Sequence, residues 1–560
     1  MTALRPPRRA PARRGDVPSG TTAVAPASRR RPSPVTALLV ASGLVLAGGV
    51  GARLLASQNS EAAAWQPTGI SVANATDSES AEQVGTLAPA VVGANTFVLQ
   101  TEPAQTHGRP QPAADITAVA AHATCACAGA RDLVLHPNAT GTSWVAATDL
   151  SAAGRWTFEV HLDRPKHDTE TLRLVETVVP SDAGKQVVIG VPADLSGPDG
   201  RKCRDQALGA QVALSDVNAT GDRSRARNRL DVVDLGGGID SAMAQLDRLG
   251  ARAIALPCGD EATVSSVVRA AQRAGLPVVL GAPPAPATGT GVWSVVPDWG
   301  REGAAIGVQT KAQAAGRVEV VSGPGTVDTA ELGGLRHQLA ASGLTVRYDS
   351  LPSDATAWAR GLPDYNLVVL LLGPAQAQPL LHAMSAVATG AGRPGLPGRG
   401  VLASSQLFDS DVIDGAWPIT RIGVVEFAGD VNPFDPVVQY YMQRQQVLVP
   451  GLRPTIEGIH GYDAALALAE AVRVSGGRPS AQQLADILGN KLSDFTIGSY
   501  GLTWTPAGGT SNRLAFFRTT YLNPMAMPAE TPGGDPDAAH MGALLGDGGF
   551  EQVAPFRTLT

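Results

Sequence analysis

Two groups of residues in this 560-residue chain have types and spacing that could do chemistry, and both point to binding rather than catalysis. Cys125-Ala-Cys127, with His122 and His136 nearby, is soft-metal material. Alternate residues of a strand point to one face, so Cys125, Cys127 and His122 would suit Cu(I) or Zn. The competing reading is a disulfide, strained within the pair or formed between chains, because thiols outside the cell oxidise. The second group is the charged set Lys202, Asp260 and Glu261, each in a loop that follows an apolar run. These charges either line a binding cleft or form a solvated rim.

Other motifs argue against an enzyme. Gly236-Gly237-Gly238 follows the run LDVVDL, but Ser241 stands where a dinucleotide-binding turn needs its last small residue, so the stretch is read as a turn into a helix. The chain has no phosphate-binding Gly-Lys-Ser/Thr loop, no His-Glu-x-x-His and no Gly-x-Ser-x-Gly, and its nine His do not gather around a nucleophile. No catalytic activity and no cofactor are expected.

The elements that must position these residues change character along the chain. Residues 1–34 carry eight Arg against one Asp and read as a disordered cytoplasmic segment. The uncharged run Val35–Ala52, extended to Ala56 past Arg53, reads as a transmembrane anchor over 35–56, or as a cleaved signal peptide. The charge bias then predicts a single-pass protein of the cell membrane with its C-terminal domains outside. Residues 57–90 are polar and aperiodic and read as a flexible stalk. From 91 to 180, short alternating runs such as NTFVLQ, RDLVLHP and GRWTFEVHL predict a small antiparallel β-sandwich with Trp156 in its core.

From residue 186 the grammar becomes strand, helix, strand, in two series. VVIGVPADL, RLDVVDL, ARAIALP and LPVVLGA alternate with amphipathic stretches, and GRVEVVSG, LTVRYDS, DYNLVVLLLG and GRGVLASS repeat the pattern. Such alternation predicts an α/β class with two doubly wound parallel sheets. Stretches near 294–300, 424–434 and 501–517 would cross between lobes, giving lobe one over about 186–297 and 428–505 and lobe two over about 298–427 and 506–520. The Pro-, Gly- and Asp-rich residues 525–560 read as a disordered tail. No basic face suggests nucleic acid; the net charge is −6.

VVIGVPADLSGPDG followed by GAQVALSDVNATG resembles the opening of branched-chain amino-acid binding proteins, the type I periplasmic binding fold. ARAIALPCGDEAT, AGLPVVLGAPP, SVVPDWGREGAAIG and GIHGYDAALALAEAVRVSGG continue the resemblance in order over about 186–520. Residues 91–180, through VGANTFVLQ and LSAAGRWTFEVHL, resemble the immunoglobulin-like domains of periplasmic copper-resistance proteins. The resemblance implies an ABC-type substrate-binding protein closing two lobes over a small solute, with a permease or a cell-envelope protein as partner. It places Ser196, Lys202, Gly259, Asp260, Glu261 and Pro283 on the lobe-one side of the cleft, Ser404 and Gln406 on the lobe-two side, and Tyr462 near the ligand. Where that family offers hydroxyls to a ligand carboxylate, this chain has Gly259-Asp260-Glu261 and Pro283-Pro284-Ala285; where it has an acid for the ligand ammonium, this chain has Ser404-Ser405-Gln406. An acidic pair repels a carboxylate, so an ordinary amino acid is not the expected ligand. A binding fold reused as a protein scaffold is the alternative. Cys203 and Cys258, in loops after neighbouring strands of a doubly wound sheet, are expected to form a disulfide that pins the cleft wall.

Overall fold

The computed structural model describes residues 69–558 with breaks, the longest at 103–115, 391–399, 408–421, 427–435 and 520–549. The first part is all β. Strands β1 (Ser71–Thr76), β2 (Glu82–Ala88), β3 (Gly93–Glu102), β4 (Ala118–Cys125), β5 (Gly129–Pro137), β6 (Ser143–Leu150), β7 (Gly154–Asp163) and β8 (Glu170–Val178) form one sheet in the order β1-β2-β3-β6-β5-β4-β7-β8. Every pairing is antiparallel. The sheet folds back until its outermost strands meet, where Thr177 N donates to Ser71 Oγ at 2.9 Å. Alternation along GRWTFEVHLD puts Trp156, Phe158, Val160 and Leu162 on the inner face, all buried, with Phe158 stacked on Phe97 at 4.5 Å between ring centroids. Trp156 gives its indole N–H to Ala152 O at 3.0 Å, so its one polar atom is satisfied inside the core.

Two stretches read as unstructured are strands. The stalk reading fails over Ser71–Thr76 and Glu82–Ala88, because Val84 and Leu87 are fully buried and β1 and β2 complete the sheet. The tail reading fails over Phe550–Thr558, a strand paired antiparallel with Arg513–Thr519. The anchor expected over 35–56 lies outside the described residues. The predicted single-pass membrane placement is corrected: among the described residues no helix is long and apolar enough to cross a membrane.

The rest is α/β, with parallel sheets. β9 (Val187–Ala193), β10 (Asn228–Asp234), β11 (Ala251–Ala255), β12 (Val278–Leu280) and β13 (Val292–Ser294) form a parallel sheet in the order β10-β9-β11-β12-β13. Every residue of β9 is buried, as its unbroken apolar run requires of a strand covered on both faces. Helices α1 (Gly200–Thr220), α2 (Ile239–Leu249) and α3 (Glu261–Arg273) connect these strands. A second, seven-stranded sheet holds β14 (Arg317–Ser322), β15 (Thr345–Ser350), β16 (Leu367–Leu371), β17 (Gly400–Ala403) and β18 (Ile422–Glu426), all parallel, with the two C-terminal strands antiparallel at one side. Helices α4 (Trp299–Gln313) and α5 (Thr326–Leu339) flank β14, while α6 (Ala355–Arg360) and α7 (Pro374–Gly390) follow β15 and β16.

Three further helices, α8 (Pro436–Leu448), α9 (Ile456–Ser475) and α10 (Ala481–Asn490), return to the first sheet. Helix α9 lies backbone-to-backbone against α1: a Cβ on Gly209 would stand 1.8 Å from Gly458 O, and one on Gly461 2.0 Å from Gln206 O. Only glycine permits that approach.

The all-β part is joined to the α/β part by buried polar contacts. Gly69 O accepts from Val232 N at 3.0 Å, Gln211 Nε2 donates to Ile70 O at 2.8 Å, and Arg204 Nη1 donates to Gln100 Oε1 at 2.9 Å. Arg229, 1% exposed, donates Nη1 to Pro180 O at 3.0 Å and Ser181 O at 3.2 Å, and Nε to Asp231 Oδ1 at 2.8 Å.

Candidate functional site

The carboxyl ends of parallel strands leave backbone donors and side chains facing outward, so ligand sites of open α/β sheets form there. At the end of β9 the chain turns at Asp194, whose N–H bonds Cys258 O at 3.0 Å, and Cys258 N returns a bond to Pro192 O at 3.1 Å. The expected Cys203–Cys258 disulfide is present, with Cα atoms 5.4 Å apart, and ties the first turn of α1 to the loop after β11. Asp234, at the end of β10, accepts from both the N–H and the hydroxyl of Ser196, each at 3.1 Å. Asp260 caps α3, its Oδ1 accepting from Thr263 N at 2.7 Å.

The lobe-one strand ends therefore gather acids. Burial first, then the neighbouring charges of Asp234, Asp199 and Asp260, raise the Asp194 carboxyl above its usual range, against a hydrogen bond from Gly197 that lowers it. Asp234 is raised by burial despite its bonds to Ser196. Asp260 is lowered by its bonds to Thr263 and so stays ionised.

Of the residues expected here, Ser196, Gly259 and Asp260 sit at these strand ends, but Ser196 and Asp260 are already hydrogen-bonded within the protein. Glu261 is exposed in the first turn of α3, Lys202 is exposed in the first turn of α1, and Pro283 lies outside the described residues. Tyr462, expected near the ligand, is 6% exposed and packs edge-on against Tyr441 of α8, 5.5 Å between centroids. Two residues before it, on a different side of α9, His460 packs against Gly281 at the end of β12. Burial, and then the Lys202 charge, lower the His460 imidazole to about 4, so it is neutral, and its buried Nε2 has no hydrogen-bond partner among the described residues.

Lobe two repeats the theme. Ser404 and Gln406 do lie just past the end of β17, where Ser404 N bonds Leu370 O at 3.1 Å, but they serve carboxylates of the same lobe. Ser404 Oγ donates to Glu331 Oε1 at 2.6 Å, Gln406 Nε2 reaches Asp328 Oδ1 at 3.4 Å, and Ser405 donates its N–H and hydroxyl to Glu302 at 2.5 and 3.0 Å. Glu302 and Glu331 are fully buried. Burial, with Asp328 adding to it, pushes Glu331 up to about 8 although Ser404 and Gln406 oppose this. The acids absent from the strand loop are thus supplied by α4 and α5. Sequence reading missed Asp194, Asp234, Glu302 and Glu331; the available signal was Asp as the first residue beyond, or the last within, an apolar strand.

The metal reading of Cys125, Cys127 and His122 is overturned. The two cysteines form a disulfide and carry no thiolate to donate, while His122 Nδ1 lies 2.5 Å from Asp132 Oδ1. Among the described residues no group of three His, Cys, Asp or Glu is arranged to hold a metal ion.

No family model matches the chain, and no curated protein matches it. Solved structures do. A branched-chain amino acid ABC transporter periplasmic ligand-binding protein from Burkholderia xenovorans LB400 aligns with a TM-score of 0.53 and 16% identity, over 67% of this chain and 96% of that one. A putative branched-chain amino acid ABC transporter from Rhodospirillum rubrum gives a TM-score of 0.50 at 19% identity, over 59% and 97%. An ABC transporter substrate-binding protein from Sphaerobacter thermophilus gives 0.50 at 16%, over 61% and 95%. The structural neighbours are type I periplasmic binding proteins, and at these identities the likeness speaks to the fold alone.

Proposed function

We propose that residues 186–520 form a two-lobed solute-binding receptor of the ABC-transporter kind, and that residues up to 180 form an immunoglobulin-like module docked on lobe one. The observation that carries the reading is chemical: acids gather at the strand carboxyl ends of lobe one, Asp194, Asp199, Asp234 and Asp260, while the lobe-two acids Glu302, Asp328 and Glu331 are buried and bonded within their own lobe. A wall of this sign repels a carboxylate and attracts ammonium, guanidinium or hydroxyl donors. The ligand is therefore a small cationic or hydroxyl-rich solute, held by Ser196, Gly259, Glu261, Asp194 and His460 with Lys202 at the rim, and passed to a permease.

The test is a thermal-shift screen of the chain against polyamines, basic amino acids, amides, sugars and leucine. A ligand that binds only the native state must raise the midpoint. A rise with a cationic or hydroxylated solute that Asp194→Asn removes supports the receptor; a rise with leucine that survives this change refutes the charge argument. One observation favours a second reading: Ser404 and Gln406 are already bonded to their own lobe. If no solute shifts the midpoint, the fold serves as a scaffold for a cell-envelope protein.

A further inference from the structure

At the amino-terminal ends of β9 and β11, the opposite end from the acids, the surface holds a cavity of about 450 Å³. Three arginines from three separate segments line it: Arg248 in the last turn of α2, Arg252 at the start of β11, and Arg478 between α9 and α10. Their positions are set by the backbone. Gly250 closes α2 in the left-handed conformation (φ 82°), which turns the chain directly into β11, and Gly476 does the same for α9 (φ 72°), leaving Arg478 next to the start of α10. Among the described residues Arg248 and Arg252 have no hydrogen-bonded or ion-paired acceptor, and Arg478 reaches only Gln186 O, at 3.4 Å.

Among the described residues of the lining there are three Arg against one Asp, and that acid, Asp182, accepts from Gly184 N at 2.8 Å. The start of α10, where Ser480 and Gln483 cap each other, adds the positive end of a helix to the same wall. Ser181, Asp182, Gly184 and Gln186 also line the cavity, and Arg229 holds Ser181 O from the α/β part. Guanidinium groups present paired N–H donors that match the oxygens of phosphate and carboxylate.

We infer that this cavity is a second binding site, for a small polyanion bearing phosphate or carboxylate groups. It lies beside the connection that leads from the all-β part into lobe one. Calorimetric titration of the full chain with pyrophosphate and with citrate, at about 50 mM salt so that screening is weak, tests it. One-to-one binding is expected, weakened about tenfold or more by each of Arg248→Ala, Arg252→Ala and Arg478→Ala. Arg269→Ala, on the exposed side of α3, is expected to leave it unchanged. Binding of pyrophosphate alone would assign a phosphate-bearing ligand, and of citrate alone a polycarboxylate. Absence of binding by both anions up to about 5 mM, far above typical ligand affinities, or equal affinity in the three variants, overturns the site. Cleft ligands bind at the other strand ends, so either outcome leaves the receptor reading to its own test.

Discussion

Arg229→Met is the sharpest test of how the two parts are joined. The guanidinium and Asp231 are both buried, at 1% and 0% exposure, with Nε and Oδ1 2.8 Å apart. At an effective dielectric of about 20 that separation is worth roughly 6 kcal/mol of attraction. Burial nevertheless lifts Asp231 to about 6, so desolvation outweighs its partner by about two pH units, or about 3 kcal/mol. Removing Arg229 alone leaves a buried, unpaired carboxylate and two carbonyls, Pro180 O and Ser181 O, without their donor.

A loss of about 3–5 kcal/mol is expected at pH 7. Replacing both members, Arg229→Met with Asp231→Leu, should recover most of it, because two apolar groups of similar volume need no solvation. The sign with pH follows from linkage. A carboxyl whose folded pKa lies above its unfolded value takes up a proton on folding, so stability is retained below about 4 and declines as pH rises through about 6. In Arg229→Met this decline should extend to higher pH at the same limiting slope, because the attraction that lowers Asp231 is gone. Urea denaturation from pH 4 to 8 reads both effects. Equal losses in the single and double variants, or a single-variant loss below about 0.5 kcal/mol, within the range of ordinary surface changes, would refute the reasoning.

Replacing Cys203 and Cys258 with Ala opens a loop spanning 55 positions and should cost up to about 4 kcal/mol, read as a lower urea midpoint with a slope equal or steeper, since the unfolded chain is less constrained. Gly458→Ala brings a methyl against the Tyr441 hydroxyl, 2.0 Å from its ideal Cβ, and should destabilise the chain by about 1–3 kcal/mol in the same assay. Glu331→Gln keeps the shape of a group that is mostly protonated below about 8; it should be near neutral at about pH 4 and should flatten the fall in thermal midpoint between about 4.5 and 8, leaving the variant the more stable at pH 7.

Much of the α/β architecture was legible because its strands are unbroken apolar runs, as in VVIGVPA and LVVLL, separated by amphipathic helices. The all-β part was legible where alternation is clean, as in GRWTFEVHLD, and illegible in SVANAT and EQVGTLA, whose small and polar residues pair as strands only because the neighbouring sheet supplies their core. Side-chain direction was harder. Tyr462 and His460 differ by two positions, about 200° around a helix, so a motif that names the segment does not say which of them faces the strand ends. Ser404 and Gln406 were placed at the right strand end, yet their partners come from helices about 75 positions earlier, and no local pattern announces that pairing.

The bond between Gly69 and Val232 reaches beyond tethering. Strand β10 is the last strand of its sheet, and its outer side would otherwise present a row of unpaired N–H and C=O groups, a template on which another chain can add a strand. The residues leading into β1 lie over that side closely enough that a Cβ on Gly69 would overlap Leu230 O. The N-terminal module thus doubles as a guard rail: a fragment beginning at residue 186 would keep its own interior yet bare a sticky margin, and should self-associate where the longer chain does not.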